Sequence, residues 1–258
     1  MKIVVLVKDV PDTFVDRKLS LETGLADREA SDNILDEICE RAVEIALKAA
    51  EKNDDVEVVA LSMGRAAASG TIRKALAMGA DSGVHIDDEE LLGADLTLTA
   101  EVIEKAIGTT GFDLVIAGDQ STDGSAGMLP AMLAERLGVP LASALSDVEI
   151  TKEKVSGARL TDDGVAQVSA SLPAVISITE ANPDGRFPNF KGIMAAKKKP
   201  VESFTLADLG VSADPGAAPR AIMVSIAEKP PREAGTKVVD EGDAGTQLAE
   251  FLISNRLV

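Results

Sequence analysis

Short, unbroken apolar runs alternate along this chain with stretches in which apolar residues recur at helical spacing. Lys2 to Lys8, KIVVLVK, is the first run and suits a central parallel strand buried on both faces. Ile38, Ala42, Ile45, Ala46 and Ala49 then mark one face of a helix from about Leu35 to Glu51. Val56 to Leu61 predicts a second strand, ending at Met63-Gly64, and Ala66 to Met78 a second helix stopped by Gly79. Ser82 to Ile86 is a third strand, Ala94 to Ile107 a third helix and Asp113 to Ala117 a fourth strand. Met128, Leu129, Met132, Leu133 and Leu137 repeat at helical spacing, and Gly138 with Pro140 ends that helix. Such an alternation predicts an α/β fold with a doubly wound, mostly parallel sheet, right-handed crossovers and helices on both faces.

Beyond Leu141 the pattern changes. Val148 to Leu160 and Gly164 to Ser171 predict a β-hairpin addition turning at Asp162-Asp163-Gly164, and Leu172 to Ile178 a further buried strand. Glu180 to Pro200 mixes turn residues, two phenylalanines and a basic run, and Thr205 to Leu209 predicts one helical turn. From Val211 onward Pro215, Pro219, Pro230 and Pro231 interrupt the chain; Ile222, Val224 and Ile226 alternate like a strand, and Gln247 to Leu257 predicts an amphipathic helix. The expected division is an α/β domain over residues 1–210 and an extended C-terminal arm over 211–258. An arm of this kind buries little on its own core, so it is expected to wrap around another chain; a mobile tail is the alternative.

Composition narrows the chemistry. Hydrophobic residues make up 45% of the chain, yet Trp and Tyr are absent and Phe numbers 6, so the core must be aliphatic. A formal net charge of −17 repels nucleic-acid phosphates and anionic membranes, leaving no nucleic acid among the expected partners. One cysteine excludes an internal disulfide, and His85 as the lone histidine argues against a zinc enzyme or a Ser–His triad. His85 is expected to end a strand with its ring hydrogen-bonded. No apolar run approaches the ~20 residues of a membrane span, and no signal peptide is visible, so a cytoplasmic protein is expected.

Candidate chemistry gathers in Gly111 to Pro140, GFDLVIAGDQSTDGSAGMLPAMLAERLGVP, a strand, polar loop and helix. Ser121, Thr122, Asp123 and Ser125 offer side-chain hydrogen bonds, and Gly118, Gly124 and Gly127 let the backbone approach a ligand. The first amides of the following helix lack partners within it, and its dipole favours an anion there, so a phosphate is a natural guest. The same features also suit an ordinary strand-to-helix loop with glycine for geometry and serine for capping. The loop is neither a Walker A sequence nor a dinucleotide fingerprint. Asp9 to Asn33 is a long connection after a strand end, where ligands bind in open α/β sheets.

Several segments in order carry a resemblance: KIVVLVKDVPD, ICERAVEIAL, TIRKALAMGAD, IAGDQSTDGSAGMLPAMLAERLG, LPAVISITEANPDGRFPNFKGIMAAKKKPVE and LADLG. Over nearly its whole length the chain resembles the β subunit of electron-transfer flavoprotein. The resemblance implies a Rossmann-like adenine-nucleotide-binding domain and a heterodimer with an α subunit that holds most of the FAD. It also implies an AMP that is structural and never turned over, and an electron carrier rather than an enzyme. Electrons enter from acyl-CoA and related dehydrogenases, as in fatty acid oxidation, and leave to a membrane-bound quinone oxidoreductase.

Carried over residue by residue, the implied AMP pocket falls on Leu6, on Asp36, Glu37, Ile38 and Cys39, on Met63, and on the loop Gly118, Asp119, Gln120, Ser121, Thr122, Asp123, Gly124, Ser125 and Ala126. Thr13, Phe14 and Ile38 fall where family members face the flavin. Phe190 matches the apolar side chain that docks dehydrogenases, with Lys197, Lys198 and Lys199 beside it as contacts for acidic partners. The loop departs from the common Asp-x-Asp-Thr-Gly-Gln, reading Asp123-Gly124-Ser125-Ala126-Gly127-Met128, so backbone amides must carry more of a phosphate. Two other readings keep the fold: an electron-bifurcating relative whose same pocket holds a second FAD, and a stand-alone adenine-nucleotide-binding module.

Overall fold

The computed structural model describes residues 1–214, 221–232, 234–235 and 237–258. The chain divides into two compact units, Met1–Val224 and Ser225–Val258. Within the first, nine strands form one sheet: β1 (Lys2–Leu6), β4 (Glu57–Met63), β5 (Ser82–Ile86), β6 (Leu114–Gly118), β7 (Leu141–Ile150), β8 (Lys154–Thr161), β9 (Gly164–Ser171), β10 (Ala174–Ile178) and β11 (Val201–Phe204). Their order is β11-β5-β4-β1-β6-β10-β7-β8-β9. Every pairing from β11 to β7 is parallel, and β7, β8 and β9 continue antiparallel. The sheet is therefore mostly parallel with an antiparallel extension, as the alternation of elements predicts.

Burial on both faces follows from the period of two along each strand. Ile3, Val5, Val58, Ala60, Leu114 and Ile116 face one layer, formed by α1 (Glu37–Lys52) and α2 (Ser69–Met78). Val4, Leu6, Val59, Leu61, Val115 and Ala117 face the other, formed by α3 (Leu96–Thr110) and α4 (Leu129–Leu137). Both cores are aliphatic, as the scarcity of aromatic residues requires. Crossing helices on opposite faces leave the C-terminal ends of β1, β4 and β6 open, which is the crevice where ligands bind in this architecture.

Five segments differ from the sequence expectation. Asp9 to Asn33 is no plain loop: its ends pair as an antiparallel ribbon of β2 (Asp9–Pro11) and β3 (Asn33–Leu35). The strand expected from Val148 to Leu160 is two, because the chain turns at Thr151, whose N–H donates to the Lys154 carbonyl at 2.9 Å. In 180–200, α5 (Phe190–Ala196) forms and leads into edge strand β11, after which the helical turn expected at Thr205 to Leu209 is present as α6 (Leu206–Leu209), capped by Thr205. Ile222 and Val224 are exposed and belong to no strand. Pro215 and Pro219 lie outside the described residues. The second unit carries α7 (Ala244–Ser254), which starts three residues before the expected Gln247.

Candidate nucleotide site

A cavity of about 1160 Å³ lies at the C-terminal ends of β1, β4 and β6. Leu6, Ile38, Leu61, Met63, Ile103 and Ala117 give it apolar walls. Ser20 to Glu29 of the ribbon's long connection borders it on one side, with Gly64 to Ala66 and Asp87 to Ala94 on another. Asp119, Ser121, Ala126, Gly127, Leu129 and Pro130 bring the loop after β6 and the first turn of α4 to the same space. The N-cap residue of α4, Met128, makes no side-chain cap, so among the described residues the first-turn amides of α4 are not used by a capping oxygen.

The loop's shape is set by two carboxylates. Asp36 precedes α1, is fully buried, and accepts the Thr122 N–H at 2.9 Å on Oδ2. Among the described residues its Oδ1 has no hydrogen-bond partner, and neither does the buried Oγ1 of Thr122. Burial raises the Asp36 pKa above its ordinary value; the Thr122 amide opposes that rise and the nearby Asp123 charge adds to it.

Asp123 is held by cations from two other elements. Lys8 Nζ lies 2.6 Å from Oδ1, and Arg28 Nη2 lies 2.8 Å from Oδ2. Burial alone would raise this carboxyl, but Lys8, Ser121 and Arg28 outweigh it and hold the pKa well below the carboxylate range. Arg28 also donates to the Asp9 carbonyl at 2.8 Å, and Arg17 donates to the Thr122 carbonyl. The 12–32 connection is thus strapped to the loop after β6. Lys8 further donates to Ser121 Oγ at 3.1 Å.

The cavity gathers eight of the residues singled out from sequence: Leu6, Ile38, Cys39, Met63, Gly118, Asp119, Ser121 and Ala126. Asp36, Thr122 and Asp123 stand behind the wall and shape it. Glu37, Gln120, Gly124 and Ser125 are exposed and lie outside its lining. Ser125 adopts a left-handed φ of 49°. Gly118 is required by close approach: a Cβ there would lie 2.5 Å from Ile38 Cγ2. Cys39 is buried, and burial next to Asp36 pushes its thiol up to about 12, so it is a packing residue and no nucleophile at neutral pH. His85 is buried, with Nε2 3.2 Å from the Gly64 carbonyl oxygen.

Other candidate residues lie elsewhere. Thr13 is half-buried and Phe14 exposed, both on the connection after β2 and outside the cavity lining. Phe190 opens α5 and is exposed, as are Lys197 and Lys198. Lys199 instead turns inward, donating to the carbonyls of Leu76, Gly79 and Ala80 at 3.1, 3.0 and 2.5 Å. Lys8, Arg28, Arg65 and the 87–94 segment are cavity residues that sequence reasoning missed. Lys8 had a signal, as the cation closing the first apolar run; Arg28 had none.

Apolar walls for a base, open amides at the start of α4 and nearby cations are a donor set that fits an adenine nucleotide. Among the described residues no group of three or more His, Cys, Asp or Glu could hold a metal ion, and no helix is long and apolar enough to cross a membrane. The model of the electron transfer flavoprotein domain matches residues 23–209. The chain is 47% identical over 263 aligned positions to the electron transfer flavoprotein subunit beta of Mycobacterium tuberculosis, covering 99% of each protein. It is 46% identical to the subunit of the same name from Mycobacterium leprae, again over 99% of each. It is also 31% identical to the caffeyl-CoA reductase-Etf complex subunit CarD of Acetobacterium woodii, over 98% of this chain and 97% of that protein. Sheet, crevice and chain-long similarity converge, and the chain belongs to the electron-transfer flavoprotein β-subunit family.

Proposed function

We propose that this β subunit binds a structural AMP in the cavity beyond β1, β4 and β6 and pairs with a flavin-bearing α subunit. The cavity itself is the observation that carries the reading. Leu6, Ile38 and Met63 would flank the adenine, while the amides from Ala126 into α4 would receive the phosphate. Asp36 and Asp123, expected in the same pocket, lie behind its lining, and in this reading they serve it by fixing the loop that presents the amides. Cys39, the thiol in the cavity lining, is no poised nucleophile, which suits a nucleotide that is held and not consumed.

The FAD supplies the redox chemistry when bound, and this chain contributes position and access. Thr13, Phe14 and Ile38 are its candidates for facing the flavin. Phe190, with Lys197 and Lys198, is its candidate docking surface for acyl-CoA and related dehydrogenases. Electrons then pass to a membrane-bound quinone oxidoreductase, and the subunit acts in the cytoplasm as a carrier, not as an enzyme with its own substrate.

The cavity's size supports a second reading. At about 1160 Å³ it exceeds the ~300–1,000 Å³ of most small-molecule pockets. That room would admit a second FAD, as in an electron-bifurcating relative. Nucleotide analysis of the purified heterodimer tests both: one FAD and one AMP are expected. Two FAD and no AMP would establish the second reading, and a heterodimer without any adenylate beyond one FAD would overturn both.

A further inference from the structure

The segment that carries Phe187 and Phe190 is fastened to α1 through a guanidinium. Glu44 is 6% exposed, and its carboxylate accepts Arg186 Nε at 2.7 Å and Nη2 at 3.0 Å, a bidentate pair. The backbone N–H of Arg186 donates to the same carboxylate at 3.2 Å, and Nη1 donates to Glu51 at 2.5 Å. One turn earlier on the same helix face, Arg41 pairs with Asp184 and donates to the carbonyl of buried Asn182. Gly185 lies flush on α1, since a Cβ there would be 2.9 Å from the Glu40 carbonyl oxygen.

The other end of the segment is fixed too. Asn189 accepts the Gly192 N–H at 2.8 Å and caps α5, while Gly192 lies so close to the Ala77 carbonyl that any Cβ would collide with it. Between these fastenings Phe187 is 93% exposed and Phe190 79% exposed. Two large rings held in water by a built, charge-assisted bracket are preorganised for a partner, which lowers the ordering cost of binding.

We propose that Arg186, gripped by Glu44, is the positioning residue that holds Phe187 and Phe190 in place for dehydrogenase docking; this rests on the docking role assigned to Phe190. Arg186 acts through the rings. Its charge is satisfied by Glu44 and Glu51, so it is not itself the contact for a partner.

The test uses the assembled flavin-containing heterodimer as electron acceptor for an acyl-CoA dehydrogenase reduced by its acyl-CoA. Arg186→Gln should raise the KM for the heterodimer about three- to tenfold with kcat unchanged, the loss expected when a contact surface must be ordered on binding. Phe190→Ala should raise KM likewise, and the double variant should add little to Phe190→Ala alone. Amide hydrogen exchange across 183–190 should quicken in Arg186→Gln. If Phe190→Ala raises KM while Arg186→Gln leaves it unchanged, the positioning role is overturned and the docking role stands. If Phe190→Ala leaves KM unchanged, both fall. Should Arg186→Gln fail to assemble, Glu44→Gln, which keeps the side-chain shape and weakens the grip, is read by the same criteria.

Discussion

The Thr122 N–H and Asp36 Oδ2 meet at 2.9 Å across 86 residues of chain. That bond makes the entry to α1 and the loop after β6 a single piece, with Asp123, Lys8 and Arg28 completing it. The cavity wall is therefore backed by hydrogen bonds and ion pairs to two carboxylates as well as by apolar packing.

Asp123→Asn leaves Lys8 and Arg28 facing a neutral amide and should cost about 2 kcal/mol in urea denaturation. The pH dependence has a defined sign. Because the folded Asp123 is held below its ordinary value of 3.8, its contribution is present above that value and lost as pH falls through the folded pKa. Asp36 runs the other way: its pKa is raised, so its contribution is full below 3.8 and lost as pH rises through the raised value. Asp123→Asn should flatten the acid limb of the stability profile, whereas Asp36→Asn should raise stability at neutral pH relative to acid. A profile unchanged in both variants would contradict the assignment.

Gly118→Ala should destabilise by about 1–3 kcal/mol through overpacking, since the new methyl meets Ile38 Cγ2 at 2.5 Å and Cγ1 at 2.8 Å. Ile38→Ala in the same chain should recover part of that loss. Thermal melts of the three variants decide it, and additive losses would show that the two residues do not share the space.

The three lysines should separate cleanly. Lys199→Ala removes a cation from three carbonyls at the C-terminal end of α2 and should cost about 1.5–3 kcal/mol. Lys197→Ala and Lys198→Ala should shift stability by less than about 0.5 kcal/mol. They should instead weaken the salt dependence of reduction by a dehydrogenase. Equal melting temperatures for all three would refute the distinction.

Truncation after Val224 should leave the melting of the α/β unit unchanged, because both hydrophobic cores lie within Met1–Val224. It should abolish co-purification with a flavin-bearing subunit, since α7 exposes Leu248, Phe251 and Ile253. Normal co-purification of the truncated chain would remove the partner-binding role from the arm.

Most of the parallel sheet was legible because Ile3 and Val4, or Val58 and Val59, are both apolar, the mark of a strand covered on two sides. What escaped was set by tertiary contact. The β2–β3 ribbon has three residues per strand, too few to show a period. Within β7, Ala144 and Asp147 take left-handed φ of 54° and 50° and shift the register, which blurs the alternation. The α5 helix leaves Ile193 and Met194 partly exposed, so its apolar stripe pointed to no core. At the site, the residues on strand ends and in the loop were readable, but Arg28 reaches Asp123 across 95 residues and nothing local announces it.

Strand β10 is inserted between β6 and β7, both of which precede it in the chain. During vectorial synthesis the free flank of β6 can gain its neighbour only after Ile178 has emerged, with β7 already made and waiting. The nascent first half must therefore pass through an interval with an apolar strand edge uncovered. Chaperone capture and aggregation should concentrate in that interval, and a circular permutant that delivers β10 before β7 would shorten it.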